Sequence, residues 1–391
     1  METEKKLEVL AEAAKFDVCL SSCVAGGRKP DPLDRFKRWI YPVSLPDGRT
    51  THILKILMSN ACINACAYCA NRAGRAPDVS LSPEELARAF SQMNRAGLVQ
   101  GLFLSSAISV SPSMQMEKMV TTCEILRTRY RYNGYIHLKV LPGAPFHLIE
   151  SGAQFADRMS INFETAEQSS LKSLAPNKNF EEDIARRANF IARLASSQKF
   201  RLRSHTTQFI VGATSETDSQ LLKTAEKLIT QTSMDRVYFS AFYPIKNTPL
   251  EDRSPTPLIR EIRLYQAEFL LRLYGFRTED LVFDDRSNLP TDTDVKLAAA
   301  LAHPEWFPVD INTASEKELL RVPGIGLKTA KRLLTARIKA LMKTSSDLKK
   351  VGVNLRRAAP FVLLSGKPLA TTPFLKGFSF KSRGALSLQA L

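Results

Sequence analysis

Three of the chain's six cysteines, Cys62, Cys66 and Cys69, fall within eight residues, in the stretch SNACINACAYCANR (59–72). Three intervening residues and then two can bring all three thiols to one side only on a tight loop, a spacing suited to thiolates gathered round one metal centre. A structural zinc site calls for a fourth Cys or His at paired spacing. His52 lies ten residues before Cys62, inside a predicted strand, and no second pair follows. A cubane iron–sulfur cluster held at three irons, its fourth iron open, fits this donor set better. Cys19 and Cys23 form a CxxxC pair without further ligands, so a second cluster or a thiyl radical stands there against plain burial. Cys123 sits in an amphipathic helical pattern and reads as core.

The rest of the chain must position that loop. Its 391 residues carry 55 Lys and Arg against 39 Asp and Glu, a net charge of +16. Such a surplus suggests a polyanionic partner. The charge is concentrated: from Glu305 to the end, sixteen basic residues face five acidic ones. No apolar run has the length of a bilayer span, and the opening METEKKLEVLAEAAKF is a charged amphipathic helix pattern, not a signal peptide. The expected location is cytoplasmic, where clustered cysteines read as metal ligands or redox groups before disulfides.

From Thr51 to about Gly275 six β-rich runs alternate with helical ones. The predicted strands are HILKILMS, LVQGLFLSS, YIHLKVL, DRMSINFE, SHTTQFIVG and RVYFSAFYPI. Ser82 before Pro83-Glu84-Glu85, and Thr217 before Asp218, mark helix starts. Alternating β/α units predict a parallel sheet, since parallel strands need crossovers. Six units suit an open, partial (β/α)6 barrel, an α/β fold with chemistry at the C-terminal ends of its strands. The cysteine loop follows the first strand, at that end. A 1–50 extension, a 51–275 barrel, a 276–308 connector, a 309–365 helical module and a 366–391 tail complete the predicted organisation.

The cysteine spacing, with the aromatic Tyr68 before the last Cys, resembles the motif of radical S-adenosylmethionine (SAM) enzymes over roughly residues 45–275. That resemblance implies a [4Fe-4S] cluster on Cys62, Cys66 and Cys69, SAM on the open iron, a 5′-deoxyadenosyl radical and a separate electron donor. The family's Gly-Gly-Glu-like segment corresponds here to Ser105, Ser106 and Ala107, without the acid. Asn162 or Glu164, on one face of the fourth predicted strand, would meet the ribose or the amino-acid part of SAM. Val211 would back the adenine, Gly212 would permit close approach, and Tyr68 would cover another part of the pocket. His137 and His205 read as hydrogen-bonded structural histidines. Arg72 and Arg75 would steer a phosphate or sit solvated on the rim.

LLRVPGIGLKTAKRLL (319–334) resembles a helix-hairpin-helix motif. Gly324 and Gly326 allow a sharp turn that bares N–H groups at a helix start, a nest suited to a nucleic-acid phosphate. Ile325 would pack between the helices, Lys328, Thr329, Lys331 and Arg332 would flank the nest, and Asn312 or Thr313 would cap the first helix. DLKKVGVNLRRA reads as a degenerate second hairpin keeping Gly352. Such modules grip the backbone and largely ignore sequence. Together the two regions resemble the radical SAM proteins of DNA modification or repair. The resemblance implies an enzyme that binds DNA and abstracts hydrogen from a nucleotide. Two alternatives stay open: the same chemistry on structured RNA, and a DNA-binding iron–sulfur redox sensor without SAM chemistry.

Overall fold

The structure, a computed structural model, describes residues 2–14, 40–44, 50–74 and 78–369. Cys19, Cys23, Arg75 and the tail beyond 369 lie outside the described residues. The chain divides into two compact units, Met1–Tyr265 and Gln266–Leu391.

The first unit opens with α1 (Thr3–Ala14), β1 (Ile40–Ser44) and β2 (Thr50–Leu57). Then α2 (Pro83–Arg95), β3 (Gly101–Ser105), α3 (Pro112–Thr128), β4 (Tyr135–Lys139), α4 (Phe146–Phe155) and β5 (Arg158–Ser160) alternate. They lead to α5 (Gln168–Leu174), a π-helical turn (Phe180–Ala185), α6 (Arg186–Ser196), β6 (Ser204–Val211), α7 (Asp218–Thr232), β7 (Arg236–Ala241) and α8 (Leu258–Leu273). One sheet runs in the order β1 to β7. β2 to β7 are parallel, and β1 pairs antiparallel to β2. The six expected parallel strands are present in an open, curled sheet. β1 is an addition whose short IYPVS run, with a proline at its centre, carries no strand pattern. β5 ladders over only three residues, because the chain beyond Ser160 leaves β4 to dock on β6 by the Glu164–Phe209 bridge.

Alternation along the strands divides the sheet's two faces. Leu54, Ile56, Leu102, Leu104, Ile136, Leu138, Met159, Val237 and Phe239 are fully buried. On that face Gly152 of α4 brings helix backbone against Met159 and Leu138, where a Cβ would come within 2.7 and 2.9 Å of their methyl groups. Helix starts follow local chemistry. Ser82 and Glu85 form a reciprocal capping box with Pro83 in the first turn of α2, and Thr217 and Gln220 do the same for α7. At the strands' N-terminal ends Asp157 accepts from Ile136 N (2.8 Å), Arg127 Nη2 (2.9 Å) and Arg201 Nε (2.8 Å), tying β4, α3 and the approach to β6 together.

The second unit, which takes in the end of α8, contains α9 (Val295–Ala302), β8 (Val309–Asp310), α10 (Glu316–Arg321), α11 (Leu327–Lys339), α12 (Ser345–Lys350), α13 (Leu355–Ala358), β9 (Val362–Leu364) and β10 (Lys367–Pro368). Its division from the first unit falls inside α8, ten residues before the boundary read from sequence. The small sheet β10-β9-β8 was not expected; two- and three-residue strands leave no periodicity to read. The cap of α10 is Ser315, in a box with Glu318, and not Asn312 or Thr313. Asn312 instead clasps Met342, accepting from its N–H (2.9 Å) and donating to its carbonyl (3.0 Å). No helix among the described residues is long and apolar enough to cross a membrane.

Asp157→Ala leaves Arg127 and Arg201 without their shared carboxylate and the Ile136 amide without its acceptor. A loss of about 2–4 kcal/mol is expected, measured as a reduced midpoint in urea unfolding of the full chain.

Candidate active site and nucleic-acid interface

The loop leaving β2 is held by backbone bonds at several points. Met58 N–H donates to Ser105 O (2.8 Å), Ala107 N–H to Ser59 O (2.9 Å), Ile63 N–H to Ile108 O (2.8 Å) and Ala67 N–H to Leu174 O (2.8 Å). Asn60 adds a side-chain clasp, its Oδ1 accepting from Val79 N at 2.8 Å. The loop is thus strung between the end of β3 and the end of α5. It sets Cys62, Cys66 and Cys69 on the wall of a cavity of about 650 Å³ in the first unit, with Tyr68, Ser105, Ser106, Asn162 and Glu164 also on its lining.

Cys66 is buried, and Cys62 and Cys69 are half-buried. The amides of Asn64 and Asn71 each point at a sulfur, Cys62 Sγ and Cys69 Sγ, at 3.4 Å. Burial pushes the Cys66 thiol up and, with Cys66 beside it, the Cys69 thiol to about 12. Thiols so placed keep their protons until a metal displaces them. Among the described residues no three His, Cys, Asp or Glu side chains converge as a single ion requires. The cubane read from the cysteine spacing does not need such convergence, since each sulfur holds a different iron.

Glu164 is held on the cavity wall by its backbone. Its backbone is left-handed (φ +66°), fixed by Glu164 N–H to Gln208 O (3.0 Å) and Ile210 N–H to Glu164 O (2.8 Å). A non-glycine residue held there carries strain of order 1–3 kcal/mol. The carboxylate is buried: Oε1 meets Lys178 Nζ at 3.4 Å and Oε2 has no hydrogen-bond partner. Burial works to lower the Lys178 pKa, but Cys66, Glu164 and Cys69 outweigh it and hold the ammonium above its usual range. Lys178 was missed in the sequence because it lies in the loop NKN after α5, outside any motif. Burial and the Glu164 carboxylate push the Tyr68 phenol well above its ordinary value.

Other expected site residues fall differently. The Ser106 hydroxyl is engaged with Ser59, accepting from its N–H at 3.1 Å and donating to its carbonyl at 3.4 Å, and so braces the loop. Val211 is fully buried away from the cavity, and Ile210 takes the lining position, because alternation along β6 turns Gln208 and Ile210 inward. Gly212 (φ +84°) gives room to Thr256, whose Oγ1 would sit 2.0 Å from an added Cβ and which donates to Val211 O. His137 bonds Ser160 Oγ at 2.8 Å and His205 meets Thr232 Oγ1 at 3.5 Å, as structural histidines do. Cys123 is core, its thiol pushed to about 12 by burial. Arg72 Nε is buried without a partner.

In the second unit the turn between α10 and α11 has the expected form. Gly324 (φ +89°) is tight against the second hairpin, where a Cβ would lie 2.6 Å from Asn354 O. Ile325 is buried with Leu319, Leu320, Ala330 and Leu333. Gly326 starts α11 with no side-chain cap, and Lys328, Lys331 and Arg332 are exposed around it. Thr329 departs from its expected role, because its hydroxyl donates to Gly352 O (3.2 Å) and ties the hairpins together. Beneath the turn Lys296 Nζ donates to Ile325 O (2.6 Å), a brace with no sequence signal.

Residues 56–228 match the model of the radical SAM superfamily, and residues 306–358 that of the helix-hairpin-helix motif. Radical SAM domains work with a [4Fe-4S] cluster and SAM. Similar solved structures include methylornithine synthase (16% identity, 56% of this chain and 61% of that one, TM-score 0.45). SuiB of Streptococcus suis, bound to S-adenosylmethionine, is 13% identical over 56% of this chain and 47% of that one, TM-score 0.44. TsrM of Kitasatospora setae, a radical SAM methyltransferase, is 12% identical over 81% of this chain and 64% of that one, TM-score 0.41. The chain spans less than two thirds of the length of each. No curated protein sequence matches the chain.

Gly212→Ala and Gly324→Ala each add a Cβ at a positive φ and against a fixed neighbour. Each is expected to cost about 2 kcal/mol or more, seen in urea unfolding followed by circular dichroism.

Proposed function

We propose that the chain is a radical SAM enzyme acting on DNA, with the hairpin module holding the DNA backbone while the cavity receives a nucleotide. The observation that carries this reading is the cysteine wall facing a buried carboxylate with one unpartnered oxygen, in a domain matched to the radical SAM superfamily. Cys62, Cys66 and Cys69 would hold the cluster. Bound there, the cluster and SAM supply a 5′-deoxyadenosyl radical able to remove hydrogen from an unactivated carbon. Glu164 and Lys178 offer one charge of each sign at 3.4 Å, the complement of an amino acid's ammonium and carboxylate. Glu164 thereby takes the place of the acid that the end of β3 lacks. Asn162 and Ser105 add buried polar groups nearby, and Tyr68 with Ile210 and Phe242 forms the apolar part of the wall. Burial excludes water from the reacting region, which protects a radical from quenching.

The module's part rests on different physics. The uncapped start of α11 presents N–H groups and the positive end of the helix dipole, and Lys328, Lys331 and Arg332 add mobile charge beside it. Contacts of that kind bind phosphate without reading bases. A base in a duplex would have to leave the stack to enter a recessed cavity, so unpaired or flipped nucleotides are the natural substrates.

Anaerobically reconstituted protein, reduced and supplied with SAM, is expected to form 5′-deoxyadenosine, and DNA to stimulate it more than matched RNA. The triple variant Cys62→Ala, Cys66→Ala, Cys69→Ala should lose iron and this activity while still binding DNA. Retention of a full cluster by the variant rules out the ligand assignment. Lys328→Gln with Lys331→Gln and Arg332→Gln should weaken DNA binding about 10-fold or more at moderate salt and flatten its salt dependence. Unchanged salt dependence would remove the module from the interface.

A further inference from the structure

Three successive carbonyls of the turn between α10 and α11 are turned to partners in the protein. Gly324 O accepts from Asn354 N–H at 3.1 Å, and Gly326 O accepts from Ala330 N–H at 2.8 Å. Between them Ile325 O accepts from a charged side chain, Lys296 Nζ, at 2.6 Å. The amides of Gly326, Leu327 and Lys328 have no hydrogen-bond partner among the described residues. In a trans peptide the carbonyl and the N–H that follows it point in opposite directions. Lys296, on the oxygen side of the Ile325–Gly326 peptide, therefore leaves the Gly326 N–H on the far side.

The placement is a costly one for a cation. Lys296 stands in the first turn of α9, where the helix dipole disfavours positive charge. Its Nζ lies over the Tyr274 ring at 4.9 Å, and Ile325 O is its hydrogen-bond acceptor. The carboxylate that acts on it, Asp294, is already shared: it accepts from Arg357 and, at 3.1 Å, from Leu297 N–H as the cap of α9. Burial and then the Arg357 guanidinium bring the Lys296 ammonium down to about 7, against the weaker pull of Asp294. The charged form is thus present below about pH 7 and is lost as pH rises through that value.

We infer that Lys296 is a positioning residue of the phosphate nest, holding the Ile325–Gly326 peptide with its oxygen toward α9 and its N–H toward the nucleic-acid backbone. This rests on the proposal that the module holds that backbone, and it adds a residue from outside the hairpin that orients and strengthens the donor. A cation at a peptide's oxygen draws electron density from its N–H end, and hydrogen bonds linked in this way reinforce one another. A phosphate docked at that N–H in turn favours the ammonium over the neutral amine. Lys328, Lys331 and Arg332 are exposed and attract phosphate directly, whereas Lys296 acts through the peptide it grips. Nucleic-acid affinity is therefore greatest while Lys296 is charged.

The test is fluorescence anisotropy of a labelled DNA duplex with the full-length, anaerobically reconstituted protein at moderate salt, from about pH 6 to about pH 8.5. The parent's affinity is expected to fall about threefold or more across that range. Lys296→Gln should bind about threefold or more weakly at the acid end and lose most of the pH dependence. Lys296→Arg, charged throughout, should match the parent at the acid end and keep that affinity at the alkaline end. The inference is overturned if Lys296→Gln keeps the parent's affinity, or weakens binding without altering its dependence on pH, as a mere brace would. Should Lys296→Gln fail to fold, the parent's pH profile persisting in Lys296→Arg overturns it equally. The variant Lys328→Gln with Lys331→Gln and Arg332→Gln, run in the same series, separates the two readings. If that variant weakens binding and Lys296→Gln does not, the interface stands and the positioning role alone falls. If the parent binds no DNA, or that variant binds as the parent does, the interface falls and the positioning role with it.

Discussion

The loop that bears Cys62, Cys66 and Cys69 would be shapeless by itself, and its form depends on backbone hydrogen bonds to two separate elements. Bonds from Met58, Ala107 and Ile63 lock its first half onto the end of β3, and the bond from Ala67 to Leu174 locks its second half onto α5. Those partners exist only because a parallel sheet ends its strands together at one rim and must cross back through helices. Were the β2–β3 register to slip by a single residue, every side chain of the shifted strand would change face and the loop would lose its anchors. The arrangement of the cysteine wall is in this sense a property of the sheet.

Within the cavity the governing quantity is the cost of buried charge. Of Cys66, Cys69 and Glu164 the carboxylate alone would be an anion in neutral water, and Lys178 stands 3.4 Å from it. Burial keeps the thiols protonated and leaves one carboxylate oxygen without a partner. The strained backbone of Glu164 belongs to the same account. A left-handed glutamate survives folding because β6 holds it by two backbone bonds, and what the strain secures is the placement of a carboxylate opposite the cysteines.

Much of this was legible in the residues. The parallel strands, the caps at Ser82 and Thr217, the cysteine loop's place after a strand and the Gly324–Gly326 turn all have local causes that a sequence displays. What escaped has non-local causes. Lys178 enters the cavity because α5 and the π-helical turn flank it, and nothing in its neighbours announces that. Val211 and Ile210 differ only in which face of β6 they occupy, and reading the wrong one is a slip of one residue. Gly212 suggested a ligand's approach, whereas Thr256 from 44 residues away is what fills the space. Ser315, Thr313 and Asn312 are all competent caps, and the choice among them falls to Asn312's clasp on Met342.

The π-helical turn at Phe180–Ala185 sets where the segment bearing Lys178 lies. A widened turn of this kind is how a helix accommodates a single inserted residue without breaking, and it often persists where the displacement is useful. Here it runs directly into α6 and follows Lys178 by two residues. Excising one residue from it would let the helix tighten to ordinary α geometry, at a rotation of roughly 100° and a shift of about 1.5 Å per residue removed. The segment bearing Lys178 would then be drawn out of line with Glu164. The buried Glu164 carboxylate would then have lost the cation that now stands 3.4 Å from it.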